Sequence, residues 1–336
     1  ALRTGAATYL VADIDRGGVF ASVYGSIALL PEEEKKLIKG IIINKFRGDI
    51  SLFDEGRKIL HELTGIPVVG VIPYFRDIYI EEEDSVSLES KNTKAGSNKI
   101  NVAIVLLKRL SNFTDFSVLE RDERFHAYYT NNVEEIGKAD IIILPGTKNT
   151  IADLQNIKAN GIADAIIRAH KDGKKVIGIC GGSQMVGARI EDPDRIEGET
   201  TSIPGLGILP LITIMEPEKV TRQSLFQFQN HPETCRGYEI HMGKTTLLEG
   251  TTASPLNRLH DGREDGYLLN DKCWGSYLHG ILDNDIVLNE LAEGLTQATP
   301  TTFNYTNFKN QQYDKLAEHV RACVDLQYIY STLKTK

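Results

Sequence analysis

Short apolar runs of strand length alternate with polar stretches of helical length in the opening part of the chain. Thr8 to Ala12, Ile38 to Asn44 and Pro67 to Ile72 are the apolar members of this series. The alternation predicts a parallel sheet, since parallel strands need crossover connections long enough to hold a helix. After Tyr79, the acidic run Glu81 to Asp84 and the segment Ser87 to Asn98, almost bare of large apolar residues, read as a solvated connection. A domain boundary is therefore expected near residue 95. A second series follows, with strands at Asn101 to Leu107, Ala139 to Leu144 and Lys175 to Ile179, and a helix-like pattern from Ile151 through Ala169. From Glu197 to Thr246 the runs shorten and Gly and Pro recur, which predicts antiparallel additions. Gly275 to Leu278 predicts a late strand leading to His279. Beyond Ala292 the chain is mixed and polar, with one amphipathic stretch at Lys315 to Leu326. The expected organisation is a domain over 1–95, a second over 96–295, and a helical tail over 296–336 packing on the second.

Composition narrows the chemistry. A chain of 336 residues is long enough for two domains, each with its own apolar core. Asp+Glu total 46 against 38 Lys+Arg, and this formal charge of -8 argues against a nucleic-acid partner, which calls for a dense basic surface. Cys180, Cys235, Cys273 and Cys323 are scattered and lack the paired spacing of a zinc site or the density of a secreted disulfide scaffold. A reducing, cytoplasmic setting is the expectation. The longest apolar runs, such as Ile141 to Leu144, fall far below the roughly 20 residues of a membrane span, so no membrane partner is expected.

The sharpest local signal is GICGGSQMVG, Gly178 to Gly187, at the end of a predicted strand. Small residues on both sides of a nucleophile suit a tight strand-to-helix turn, where the backbone leaves no room for Cβ atoms. Such an elbow holds the Cys180 sulfur clear of the sheet and at a helix N-terminus, which favours thiolate over thiol. The N-H groups there, that of Gly181 among them, are suited to stabilising an oxyanion. A buried structural cysteine beside a turn is the competing reading, and the flanking glycines disfavour it. LPGTKNT, Leu144 to Thr150, follows the strand Ile141 to Ile143 and belongs at the same carboxyl edge, where Gly146 offers a second oxyanion N-H.

A base near neutral pH is usually histidine. His279 stands directly after an apolar strand and before a glycine, so it is the preferred candidate. His231 follows the polar FQFQN and is rejected on position; His241, in GYEIHMG, is expected to be a pocket or structural histidine. Gly237 to Thr245 ends like a phosphate-binding loop, but five residues separate its glycines where the cradle requires four.

Several stretches in order carry a wider resemblance: VADIDRGGVFAS (Val11 to Ser22), INKFRGD (Ile43 to Asp49), GIPVVGVIPY (Gly65 to Tyr74), LPGTKNT, GICGGSQMVG, CRGYEIHMG (Cys235 to Gly243) and SYLHG (Ser276 to Gly280). Together they resemble the cobyric acid synthase family of cobalamin biosynthesis over most of the chain. That resemblance implies an α/β protein with a dethiobiotin-synthetase-like P-loop domain followed by a class I glutamine amidotransferase domain of flavodoxin-like fold. Nucleophile and base then correspond to Cys180 and His279, and Gln184 is expected to contact bound glutamine. The HPE in which many class I amidotransferases hold their base recurs at His231 to Glu233, the position rejected above. The glutamate common two residues past the base is replaced by Ile281, as in the branch that works with a Cys-His pair, and Glu239 is the candidate orienting group.

No GxxxxGK followed by Ser or Thr occurs, so the chain is expected to lack the first half of the nucleotide-binding domain. Asp13 and Asp15 would be what remains of a magnesium and phosphate edge, with an Asp-rich turn capped by Gly17 and Gly18 as the alternative. Asn44 and Lys45 resemble a base-recognition loop. The resemblance implies ATP and Mg²⁺ for the whole enzyme, no cofactor for the glutaminase step and no dedicated metal site. Its substrates would be glutamine and the corrinoid adenosylcobyrinic acid a,c-diamide, amidated at the b, d, e and g carboxylates to adenosylcobyric acid. The rivals are another amidotransferase of the branch (cobyrinic acid a,c-diamide synthase or the peptidoglycan-stem enzyme), a non-catalytic regulatory α/β protein, and a cysteine peptidase.

Overall fold

The computed structural model describes residues 1–81, 91–96, 98–295 and 303–333. Contacts divide the chain into two compact units, Ala1–Ile80 with Asn307–Lys336, and Glu81–Thr306. In the first unit the elements run β1 (Thr8–Asp13), α1 (Val19–Ala28), α2 (Glu32–Lys35), β2 (Ile38–Phe46), α3 (Asp54–Thr64) and β3 (Val68–Pro73). The three strands form a parallel sheet in the order β1-β2-β3, as the apolar rhythm predicts. Helix α1 buries Val19, Val23 and Ile27, four residues apart and therefore on one face, against Ile41, Ile43 and Leu60.

The second unit opens with β4 (Ile100–Val105), β5 (Phe125–Thr130), α4 (Val133–Gly137), β6 (Ile141–Leu144), α5 (Thr150–Ala159), α6 (Ile162–Lys171), β7 (Lys175–Ile179) and α7 (Gly181–Val186). It continues through β8 (Arg189–Glu191), β9 (Ser202–Pro204), β10 (Leu211–Ile214), β11 (Val220–Phe228), β12 (Thr234–His241) and β13 (Lys244–Leu247). Then come β14 (Ser254–Leu259), β15 (Glu264–Asn270), β16 (Cys273–Ser276), β17 (Leu278–His279) and α8 (Asp285–Ala292). The ten-stranded sheet has the order β17-β12-β11-β14-β15-β16-β7-β6-β4-β5. Its half from β16 to β5 is parallel, and the remaining strands pair antiparallel, as the shortened runs predict. Strands β13, β10, β8 and β9 make a separate four-stranded sheet. Ile141 to Leu144 and Val176 to Ile179 are buried on both faces, which is why they read as continuous apolar runs.

Four sequence expectations need correction. The helix read from Ile151 through Ala169 is two helices, because Gly161 takes a left-handed φ of 80° between α5 and α6. The strand β5 was missed, since His126 interrupts its apolar run. From Asn307 the tail belongs to the first unit: α9 (Tyr305–Cys323) leads to Val324, which joins the apolar cluster of Ile42, Val69 and Ile72, and α10 (Leu326–Ser331) carries Tyr328, whose hydroxyl donates to the Lys39 carbonyl at 2.8 Å. The apolar face of the first sheet outweighed chain proximity. The boundary near residue 95 also moves to residue 80, because residues 91–96 bond to the second unit. Tyr129 N-H donates to the Asn92 carbonyl at 2.8 Å and Ala95 N-H to Glu135 at 2.8 Å. Most of the expected acidic connection lies outside the described residues.

Close approach of α7 to β6 sets the local geometry. A Cβ placed on Gly182 would lie 1.9 Å from the Leu144 carbonyl oxygen, and one on Gly178 would lie 2.6 Å from the Ser183 backbone. Neither neighbour is a flexible side-chain end. Gly182→Ala is therefore expected to cost about 3 kcal/mol, at the upper end of overpacking effects, measured by denaturant unfolding. A melt within 0.5 kcal/mol (about the spread of ordinary surface substitutions) contradicts this packing.

Candidate active site

Cys180 lies where β7 gives way to α7, with φ 52° and ψ -115°, a conformation that costs a non-glycine residue about 1–3 kcal/mol. The turn exists because the residues after it have no Cβ: on Gly181 such an atom would meet Thr147 Cγ2 at 2.9 Å, and on Gly182 the end of β6. The N-H groups of Ser183 and Gln184 both bond the Cys180 carbonyl, at 3.0 and 3.3 Å. Gly181, the first helical residue, carries one of the N-H groups that helix geometry leaves without an intrahelical partner. Cys180 is 8% exposed, and its Sγ lies 3.6 Å from the Ile240 carbonyl.

His279 comes to the same place. Strand β17 pairs with β12 at the edge of the sheet, opposite Tyr238, whose ring stacks on the imidazole at 5.2 Å. A Cβ on Gly146 would sit 3.2 Å from His279 Cε1 and 3.5 Å from Cys180 Cβ, so Cys180, His279 and the loop after β6 converge at one point. Nε2 of His279 is buried without a hydrogen-bond partner among the described residues. Nδ1 is 2.6 Å from Asp115 Oδ2, and the other carboxylate oxygen accepts from Gly280 N-H at 2.9 Å.

Asp115 thus occupies the orienting position for which Glu239 was the candidate. The correction has a simple cause: Tyr238 and Glu239 are successive residues of β12 and point to opposite faces. With Tyr238 against His279, Glu239 faces away and is buried with Ser224 Oγ at 2.8 Å and Arg263 Nη2 at 2.8 Å. Asp115 comes from a 3₁₀ stretch, Phe113–Glu120, that buries it with Phe116, Val118 and Leu119. Its one signal in the sequence is a carboxylate set among apolar residues, which needs a partner if buried.

Burial alone would lower the basicity of His279, but the Asp115 carboxylate, with a smaller contribution from Cys180, outweighs it and raises the pKa from 6.5 to about 10. Coulombic attraction is strong where water is excluded, so the ring is held as a cation at neutral pH. A cationic imidazole is the companion a reactive thiolate requires.

Cys180 opens into a cavity of about 330 Å³ whose walls include Thr147, Lys148, Gln184, Glu197, Lys219 and His241. Gln184 lies in the wall, but its amide hydrogens are committed to the Met242 carbonyl at 2.9 Å and Tyr277 Oη at 3.1 Å. It braces the site and presents little to a ligand. His241 stacks on Tyr277 at 3.8 Å, with Nε2 3.7 Å from Glu239, which suits the expected pocket role. His231 stands 3.6 Å from Glu290 and is not among the cavity's lining residues.

In the first unit Asp13, Asp15, Asn44 and Lys45 gather at the carboxyl edge of β1 and β2, but as ion pairs. Lys45 Nζ is 2.8 Å from Asp13, and Arg47 Nη2 donates to Asp15 at 3.1 Å. The Asn44 side chain accepts from Lys45 N-H at 2.9 Å. Hydrogen bonds from Lys45 and Arg47 hold both carboxyls below their ordinary pKa values. As placed, both carboxylates are engaged in ion pairs at this edge.

Asp115→Asn is expected to return the His279 pKa toward 6.5, followed by NMR titration of the imidazole. A native pKa above the unfolded one means that the stabilisation is complete below about pH 6.5 and is lost as pH rises through about 10. The stability gap between the wild type and this variant should close over that window. An imidazole titration unmoved by the substitution removes Asp115 from the orienting position.

Residues 101–287 match the family described as the CobB/CobQ-like glutamine amidotransferase domain, which contains Cys180, His279 and Asp115. The chain is 66% identical over 337 aligned residues to a cobyric acid synthase of Parabacteroides distasonis, covering 99% of this chain and 68% of that protein. It is 59% identical to one of Bacteroides fragilis, with the same two coverages, and 57% identical to one of Phocaeicola vulgatus, covering 96% of this chain and 66% of that protein. A family match over residues 101–287, which hold Cys180 on its tight turn and His279 paired with Asp115, together with this level of identity, means that the chain belongs to the cobyric acid synthase family of glutamine amidotransferases.

Proposed function

We propose that the second unit hydrolyses glutamine through a Cys180 thioester and that the ammonia serves ATP-dependent amidation of a corrinoid. The observation that carries the first step is the meeting of Cys180, His279 and Gly146 at one point, with Asp115 behind the histidine.

The Cys180 thiolate attacks the side-chain carbonyl carbon of glutamine. The negative charge that develops on oxygen is taken up by the backbone N-H groups of Gly146 and Gly181. Protonated His279 gives its proton to the departing nitrogen, so ammonia leaves and a thioester remains. Neutral His279 then takes a proton from water as the water attacks the thioester, and glutamate departs with the thiolate restored. Asp115 keeps one imidazole nitrogen occupied so that the other faces the sulfur. In the whole protein, family membership supports adenosylcobyrinic acid a,c-diamide as acceptor, with the b, d, e and g carboxylates activated as acyl phosphates by ATP and Mg²⁺ and converted to amides.

Cys180→Ala is expected to abolish glutamate release from glutamine, and His279→Ala to slow it by about 10²–10⁴-fold. A thiol-reactive glutamine analogue should label Cys180 in the wild type, with protection by glutamine. Undiminished glutamate release by the alanine variant would end the assignment.

A further inference from the structure

Asp115 accounts for the charge of His279 but not for the setting of its ring. The bond at Nδ1 holds one edge of the imidazole, while χ2 of a histidine is a soft torsion and a hydrogen bond tolerates a range of angles. The face of the ring is taken by Tyr238. The two rings lie 5.2 Å apart at an interplanar angle of 20°, carried by directly paired residues of β12 and β17. Strand β12 comes this close because Gly237 has no Cβ, which would lie 2.8 Å from the His279 carbonyl oxygen. The tyrosine is itself fixed, since its hydroxyl accepts from Asn112 Nδ2 at 2.8 Å. Asn112 stands at the head of the 3₁₀ stretch with a left-handed φ of 53°, and its carbonyl accepts from the Asp115 N-H at 3.0 Å. The contacts therefore close a circuit, from Asp115 to His279, to Tyr238, to Asn112 and back to Asp115. The other titratable groups acting here are Cys180 and His241 on His279 and Asp283 on Tyr238.

We infer that Tyr238 is a positioning residue for His279, holding the plane of the imidazole with its ring face while Asn112 locks the tyrosine to the segment that carries Asp115. The inference rests on the glutaminase reading and adds to it how the base is aimed. An aromatic face within about 6 Å attracts a cation, more strongly where water is excluded, so the stack favours the imidazolium that gives its proton to the departing nitrogen. Aim matters as much as charge, because proton transfer requires the donor nitrogen within hydrogen-bond reach of the leaving group. Tyr238 stays neutral, since burial pushes its hydroxyl up to about 12. It is not among the residues lining the Cys180 cavity, so it acts through His279 and not on glutamine.

The test pairs an NMR titration of the His279 imidazole, identified by its loss in His279→Gln, with steady-state glutamate release. Tyr238→Leu should lower the titration by about one pH unit, a tenfold loss of proton affinity, and reduce kcat on the order of 10- to 100-fold with KM for glutamine little changed. Tyr238→Phe keeps the ring face and should keep the wild-type titration, with kcat reduced roughly 2- to 10-fold, the range of one neutral hydrogen bond. Asn112→Gly, which tolerates the left-handed backbone, should match Tyr238→Phe in kcat. The two together should cost no more than either alone, because they remove the same bond. This pair carries the test if Tyr238→Leu does not fold. The inference is overturned if Tyr238→Leu titrates as the wild type does, if Tyr238→Phe falls as far as Tyr238→Leu, or if the effects of Tyr238→Phe and Asn112→Gly multiply. Absence of glutamate release by the wild type would overturn the glutaminase reading, and the titrations would still report separately on the stack.

Discussion

The close approach of α7 to the end of β6 is the constraint on which the site depends. With no Cβ at Gly181 or Gly182, the helix begins against the Leu144 carbonyl and Thr147, and the chain has to turn from strand to helix within one residue. That residue is Cys180, held at positive φ with its side chain at the carboxyl edge of the sheet. Strand β7 lies between β6 and β16, so the chain segments that follow all three strands share this edge. Gly146 follows the first, Cys180 the second, and His279 comes three residues after the third. The strain at Cys180 is a local cost that the surrounding close packing maintains, as is common where geometry serves chemistry.

Electrostatics then gives the convergence its chemical character. Asp115 and His279 are 5% and 1% exposed, so their attraction is little weakened by water and overcomes the penalty of burying a charge. The polar atoms nearby are mostly committed: Asp115 to His279 and Gly280, Gln184 to Thr150, Met242 and Tyr277, Glu239 to Ser224 and Arg263. This network fixes the walls of the cavity.

Much of the architecture was legible because burial on both faces of a parallel strand leaves an uninterrupted apolar run. The runs around Ile142, Ile177 and Ile42 were read for that reason. The strand at Phe125 to Thr130 lacked that signal, and the break at Gly161 was masked by apolar spacing that continues across it. The tail was misplaced because amphipathicity shows that a helix packs without saying on what, and Val324 found its apolar neighbours in the first sheet.

The sequence by itself determined where Cys180 and His279 sit, because a tight turn tolerates few residue types and a residue that closely follows a strand reaches the same edge. GICGGSQ and SYLHG therefore carry their chemistry locally. Tertiary structure alone decided the third member. Asp115 lies far from His279 along the chain and reaches it only when a 3₁₀ stretch after β4 closes over β17, whereas Glu239, on the neighbouring strand, is turned away by the pleat. A contact between distant residues depends on topology and on which face a side chain takes, and neither is written in the residues that make it.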